Sequence, residues 1–546
     1  MEGLADFLDS LIGGADQIAF CLLIGGILWG LMMLKPWDDA RAPYPDALYR
    51  TTIRLVWQGG VALLGCQTLA LLLKIWLMTA TLNRWPFPAF ADTIQFQAGV
   101  LRLLFASALT FYVWRSLRAH PSNTAPWFIT GALAVPVIIS GAWLVHGAGR
   151  FDDREQLMTF TVLHQLGAAA WIGGIFQLLG VWSLHRQGLI AKDLWPGLLR
   201  DFAGWGIGAV SLLLLTGLPM AFKYIDTWNG FIGTGYGNLL LVKLMLMGLA
   251  LGLAWLNHRG ARDQLTLGDQ APSFQRVPYF IQAETFVLLS LLFTAVSLSS
   301  QPPAIDIPAL TATIDEVLKM FEPRIPQFIS PSHEALLAGE PGRTAIIGQV
   351  PSPAATEWSD YNHNISGIFV TVIALLALSH YWRPQSPDRP QYWPLGFALL
   401  GIFLFFRSDA ETWPLGPIGF WESTFTNGEV LQHRIATFLV FTLGILEFRA
   451  RHPRNQNPRL PYMFPVLSAF GGLMLLTHSH VGFEAKTQFL IQVGHTLMGF
   501  FAIIIACGRW LEIQLDGRAK QIAGIVSLAA MLQIGIVLMF YREPLY

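Results

Sequence analysis

Residues 238–257 read NLLLVKLMLMGLALGLAWLN. A helix needs about 20 mostly apolar residues to cross a hydrocarbon layer about 30 Å thick. This run has that length and one charge, Lys243, so it predicts a membrane-spanning helix. Further runs of the same kind lie near 17–34, 55–80, 94–114, 127–145, 157–184, 203–222, 279–299, 364–381, 392–406, 430–448, 462–477, 487–508 and 521–540. The expected fold class is therefore an all-α polytopic membrane protein of about 14 transmembrane helices. Composition agrees: 53% of the 546 residues are hydrophobic and 13% charged, against roughly 25% charged in a soluble domain. Such a charge-poor chain is neither a disordered tail nor a nucleic-acid binder, and its expected surroundings are a lipid bilayer.

Charge is balanced, 35 Lys plus Arg against 35 Asp plus Glu, so only its distribution informs. Residues 1–16 carry Glu2, Asp6, Asp9 and Asp16 and no basic residue. A cleaved export signal needs a basic start, so the first apolar segment is expected to remain as a helix. Lys35, Arg41, Arg50 and Arg54 follow it and place the first loop in the cytoplasm, because basic loops resist translocation. With an even number of spans, both termini are then outside. Alternating the loops gives the cytoplasmic ones about twice as many Lys and Arg as the outer ones. The acidic residues show the opposite bias, so the outer face should concentrate cations. Cys21, Cys66 and Cys507 lie in apolar stretches with no CxxC, which excludes a disulfide scaffold.

Four regions are expected: N-terminal transmembrane helices (1–150), a transmembrane core (151–300), an acidic, Pro-rich outer loop (301–362) and a C-terminal transmembrane bundle (363–546). The loop is too polar to span and reads most simply as a solvated linker. Within it Thr311 to Phe321 spaces Ile314, Val317, Leu318 and Phe321 at helical intervals, predicting a short amphipathic helix on the membrane surface.

Histidine is distributed unevenly. His120, His185, His258, His380 and His452 fall at cytoplasmic helix ends, whereas eight others occupy the outer half. Among these, His164 and His495 sit about eight residues inside their helices, roughly 12 Å deep. Polar side chains in lipid are costly without a partner, and the plainest role for either is a hydrogen bond between helices. His478 and His480 form THSH, a pair that extended backbone can aim at one metal. Met498 follows His495 by three residues and Met474 precedes His478 by four, so thioether and imidazole share a helix face. Such donors suit copper better than magnesium or calcium. The expected outer copper site comprises His164, His433, His478, His480 and His495, with His146, His363, Met498 and Glu484 as further candidates. Glu484 also reads as a helix N-terminal charge.

An offset of 331 residues relates His164 to His495, and the flanking helices align at nearly the same shift. A true repeat of this kind would make two parallel halves related by an axis along the membrane normal.

Several stretches resemble the copper resistance protein D (CopD) family of bacterial inner-membrane proteins. They are HQLGAAAWIGG from His164, LTG at Leu215 to Gly217, TGYGNLLLVK from Thr234 to Lys243, and Asn257. The C-terminal third is similar to the extension of longer family members through EWSDYNHNISG from Glu357, LQHR from Leu431, THSH, GH at His495 and RWLE from Arg509. The resemblance implies copper handling, usually uptake into the cytoplasm from a periplasmic copper-binding protein, and carries over His164 as a ligand. Tight helix packing accounts more simply for Gly173, Gly174 and Gly237.

Copper uptake is thus the leading expectation, with copper ion as ligand and no enzymatic activity. No nucleotide-binding loop or phosphorylated-aspartate motif is present, so movement would follow a gradient, the membrane potential or a partner. Two alternatives stand. A membrane cytochrome would hold haem b between His164 and His495 or between His146 and His433. A copper-delivery factor would hand the ion on laterally without translocation.

Overall fold

A computed structural model describes residues 2–34, 44–339, 352–382, 390–477 and 484–544. No β-strand occurs among them, as expected where lipid leaves backbone groups no partner but their own helix. Twelve helices are long and apolar enough to cross a membrane, from Phe7–Leu34 to Gly517–Met539. Two shorter apolar helices, Leu395–Arg407 and Leu460–Leu476, coincide with the remaining runs in the sequence. The chain is an all-α, multi-pass membrane protein.

It divides into two compact units. One comprises Asp9–Tyr224 and Ala250–Leu292. In it the first span meets Arg154–Arg186 closely, because a Cβ on Gly25 would lie 2.7 Å from the Cα of Gly173. The glycines of WIGG therefore serve close packing. Arg154–Arg186 is not uniform: residues Ala169–Gly173 form a π turn. Asp16, taken in the sequence for an acid ahead of the first span, lies inside that span. It pairs with Arg102 at 2.9 Å, and Arg102 also donates to Gln67 Oε1 at 3.2 Å. Their side chains are 10% and 6% exposed, so each buried charge is neutralised by the other.

The second unit comprises Met1–Leu8, Ile225–Leu249 and Phe293–Tyr546. Its core packs Val370, Ile373, Ala374, Phe397, Leu443, Phe464, Ile505 and Met531 from six helices. Pro353–Trp382 and Gly517–Met539 cross at two glycines: a Cβ on Gly367 would lie 2.5 Å from Met539 Cα, and one on Gly535 3.0 Å from Thr371 Cα. Met463–Leu476 and Ala485–Gln514 cross at Gly472 and Gly499, where either Cβ would come within 3.1 Å of the other's carbonyl oxygen. Away from these crossings a buried charge network ties three helices. Arg451 binds Glu447 at 2.5 Å, Arg509 binds Glu447 at 3.0 Å and Glu512 at 2.8 Å, and Tyr381 donates to Glu512 at 2.6 Å. Two Arg and two Glu cancel, which makes burial tolerable. Arg509 and Glu512 are the ends of RWLE. Within each unit the helices related by the 331-residue offset pack as successive neighbours.

Two features of the outer loop differ from expectation. The short helix forms as Ile314–Lys319, opened by a capping box of Thr313 and Glu316. It docks on protein, with Val317 buried against Phe489, Leu490 and Val493, while Ile314 and Leu318 stay exposed. Lys486 meets Glu316 at 2.7 Å, and this bond holds the Glu316 carboxyl at about 2, below its ordinary 4.5. The loop is also strapped to the bundle. Arg324 pairs with Asp360 at 2.7 Å, the Gln327 amide donates to Asn364 Oδ1 at 2.7 Å, and Arg407 donates to Ser330 at 2.6 Å. A freely solvated linker would make none of these bonds.

Candidate metal site

His363 and His495 come together in the second unit. Their ring centroids are 5.6 Å apart at 82°. Tyr541 completes the cluster, stacked on His363 at 3.9 Å and edge-on to His495 at 5.8 Å. The backbone crossing explains the placement. Gly367 lies one turn after His363, and Met539, which it touches, lies two residues before Tyr541. A side chain at 367 would push the two rings apart.

The stretch EWSDYNHNISG supplies the frame around His363. Trp358 lies under the Arg407 guanidinium at 3.5 Å from the ring centroid, and Asn362 accepts from Arg407 Nε at 3.2 Å. Asn364 donates to the Tyr541 carbonyl at 2.9 Å, and Arg324 donates to that carbonyl at 2.5 Å. Glu543 accepts from Ser359 Oγ at 2.5 Å and from the Tyr541 hydroxyl at 3.0 Å. The segment following the last helix is thereby pinned over His363.

Hydrogen bonding sets the tautomer of each imidazole. His363 Nδ1 lies 2.9 Å from the Ser359 carbonyl, and His495 Nδ1 lies 3.0 Å from the Ile491 carbonyl. A carbonyl only accepts, so in both neutral rings Nδ1 carries the proton and Nε2 the lone pair. A metal-ligating histidine usually donates its other ring N–H to a carbonyl or carboxylate in this way. His495 and Met498 are both buried on Ala485–Gln514.

The other sequence candidates lie elsewhere. His433 pairs with Asp409 at 2.8 Å, beside Arg434, which donates to Ser423 Oγ at 3.0 Å and to Phe420 O and Thr424 Oγ1. His164 belongs to the first unit. Its Nδ1 donates to Thr216 Oγ1 at 3.0 Å, and Thr216 in turn donates to the Leu212 carbonyl at 2.7 Å. Gly217 leaves room for the ring, since a Cβ there would lie 3.0 Å from His164 Cε1. LTG is thus a cradle for His164. His146 opens a 3₁₀ turn, His146–Gly149. Glu484 is the exposed N-cap residue of Ala485–Gln514 and makes no side-chain cap bond. His478 and His480 lie outside the described residues. Among the described residues, no group of three or more His, Cys, Asp or Glu converges in a way that would hold a metal ion.

Sequence reasoning missed Tyr541, Ser359 and Glu543. An aromatic residue at a helix end is common at a membrane surface, and nothing in local spacing joins positions 363 and 541. The polar density of WSDYNHN at the start of an apolar helix was the available signal for His363.

Residues 196–298 match the family described as CopD, copper resistance protein D. Within that segment Thr234 caps its helix by accepting from the Gly237 amide at 3.0 Å, and Asn238 donates to Thr496, next to His495, at 2.7 Å. The chain is also 30% identical over 166 residues to the copper transport protein CutJ of Bacillus subtilis (strain 168), a match covering 30% of this chain and 29% of that relative. The chain therefore aligns with under a third of the length of this relative. No solved structure matches. The chain thus carries a segment similar to the copper resistance protein D family, set among further helices long and apolar enough to span a membrane on both sides.

Proposed function

We propose that this protein accepts copper at the His363–His495 site and takes it up across a bacterial inner membrane, acting as a carrier and not as an enzyme. The observation that carries this reading is the pair of imidazoles 5.6 Å apart, both with the lone pair on Nε2 and with Met498 on the same helix as His495. Nitrogen and thioether donors favour copper over hard cations. The near-perpendicular rings, with Tyr541 against both, suit a compact ion better than a planar macrocycle.

Two imidazoles alone make a sparse site. Antiparallel crossing of Met463–Leu476 with Ala485–Gln514 at Gly472 and Gly499 brings the end of the first helix out near the level of His495, about five residues beyond the crossing on one helix and four on the other. His478 and His480 follow that end in the chain, and we assign them to complete the ligand set. His164, which precedes the matched segment and is marked by the resemblance of HQLGAAAWIGG, is oriented by Thr216 and is proposed as a ligand at a separate step. A periplasmic copper-binding protein is the proposed donor.

The test is copper binding and flux. Purified protein should bind copper, and His363→Ala with His495→Ala should remove most of that binding. Proteoliposomes should accumulate copper at a rate the double variant lacks. Binding without accumulation would favour lateral delivery, and undiminished binding by the double variant would remove the site.

A further inference from the structure

Glu284 is a membrane-buried carboxyl that the copper reading does not use. It lies within Pro272–Asp306, one of the membrane-length helices, and is 1% exposed. Both of its hydrogen-bond partners are neutral: Trp171 Nε1 donates to one oxygen at 3.0 Å and Asn257 Nδ2 to the other at 2.7 Å. This differs from Asp16, which has Arg102, and from Glu447 and Glu512, which share two arginines. An isolated carboxylate in a low-dielectric interior is expensive, and the usual outcome is a neutral group holding a proton.

Three features show that this acid is served by its surroundings. Trp171 lies in the π turn Ala169–Gly173, an irregularity that re-aims side chains and recurs at functional positions. Asn257 is 7% exposed and its Oδ1 is buried without a partner, so its amide has an acceptor to spare for a carboxyl O–H if it turns over. Finally, Glu284, Asn257 and Trp171 line one cavity of about 320 Å³, whose other walls include Ile207, Trp255 and His258. Ile207, Trp255 and His258 are exposed, so the cavity joins the buried carboxyl to the outside of the unit. The four helices around the cavity contribute two titratable groups to its lining, Glu284 and His258.

We propose that Glu284 is a proton-exchange site of this protein. The Glu284 O–H bond breaks, its proton passes to the His258 imidazole or to water admitted by the cavity, and the carboxylate left behind is held by the Trp171 and Asn257 donors. Reprotonation reverses each step, so no oxidant or further reactant is needed. Such a site gives a membrane carrier without a nucleotide motif a means of coupling to a proton gradient, although the proposal stands apart from the identity of the cargo.

Dicyclohexylcarbodiimide, a lipophilic reagent that modifies protonated carboxyls reachable from the bilayer, tests this on the purified full-length protein. Peptide mass spectrometry should place the adduct on Glu284, and modification should fall as pH is raised and return when pH is lowered. Glu284→Gln should abolish the adduct and Glu284→Asp keep it. Asn257→Ala, which removes a donor to the charged form, should shift the fall to higher pH, a readout available even if Glu284→Gln does not fold. An unmodified Glu284, or an adduct whose yield ignores pH, would overturn the proposal. Copper binding measured on the same samples fails or succeeds independently.

Discussion

The His363 and Tyr541 rings stack at 3.9 Å although 178 positions separate them in the chain. The contact depends on backbone proximity at Gly367 and on the Glu543 carboxylate, which accepts from both Ser359 and Tyr541. Tyr541 thus fixes the face of the His363 imidazole while Ser359 fixes its tautomer. In the proposed copper site these neighbours would set the geometry of His363, so copper affinity should respond to them. Tyr541→Ala should weaken copper binding by roughly tenfold, as loss of an orienting neighbour commonly does, while Tyr541→Phe, which keeps the ring, should change it little. Equilibrium competition with a copper chelator measures both. Equal losses in the two variants would assign the effect to the hydroxyl and not to stacking.

Gly367→Val places a branched side chain where a Cβ alone would lie 2.5 Å from Met539 Cα. The helices must separate, and overpacking of this kind costs about 1–3 kcal/mol. Thermal unfolding in detergent should shift downward, and copper binding should fall with it because His363 and Tyr541 move apart. The corresponding change at Gly65, with open space around it, should leave both unchanged.

Much of this arrangement was legible in the sequence because lipid simplifies the problem. Fourteen apolar runs became helices since no other backbone state is satisfied in hydrocarbon, and WIGG and LTG marked places where one helix approaches another or makes room for a ring. Contacts between distant segments left no such mark. Asp16 reads as a flanking charge until Arg102 and Gln67 are seen around it, and the acidic loop reads as solvated until Arg324 and Arg407 tie it to the bundle. His433, chosen for its place at an outer helix end, pairs with Asp409, and local spacing carries no hint of that partner.

At the outer loop the Glu316–Lys486 bond gives a defined pH response. The Glu316 carboxyl is lowered to about 2 from its ordinary 4.5, so docking favours the ionised form. Its contribution is complete above the ordinary value and is lost as pH falls from about 4.5 towards about 2. The protection of the Ile314–Lys319 amides, measured as hydrogen exchange relative to the intrinsic rate at each pH, should therefore fall across that window. Glu316→Gln, which cannot ionise, should flatten the response and exchange faster at neutral pH. An unchanged profile in that variant would show that another group governs docking.

The buried pair of Asp16 and Arg102 makes an asymmetric prediction. Arg102→Leu leaves a carboxylate that has lost its cation inside the first unit, and breaking one side of a buried pair costs about 3–5 kcal/mol. Asp16→Leu strands the guanidinium, with Gln67 Oε1 as its one remaining side-chain acceptor in this cluster, and should cost a similar amount. Replacing both by Leu removes the two desolvation penalties together with the attraction, so the double variant should recover most of the stability lost by either single change. Reversible unfolding in mixed micelles, run as a double-mutant cycle, gives the coupling directly. Additive losses would mean that the two charges are solvated independently and that their 2.9 Å contact contributes little, whereas full recovery would mark the pair as a device for helix register and not a source of net stability.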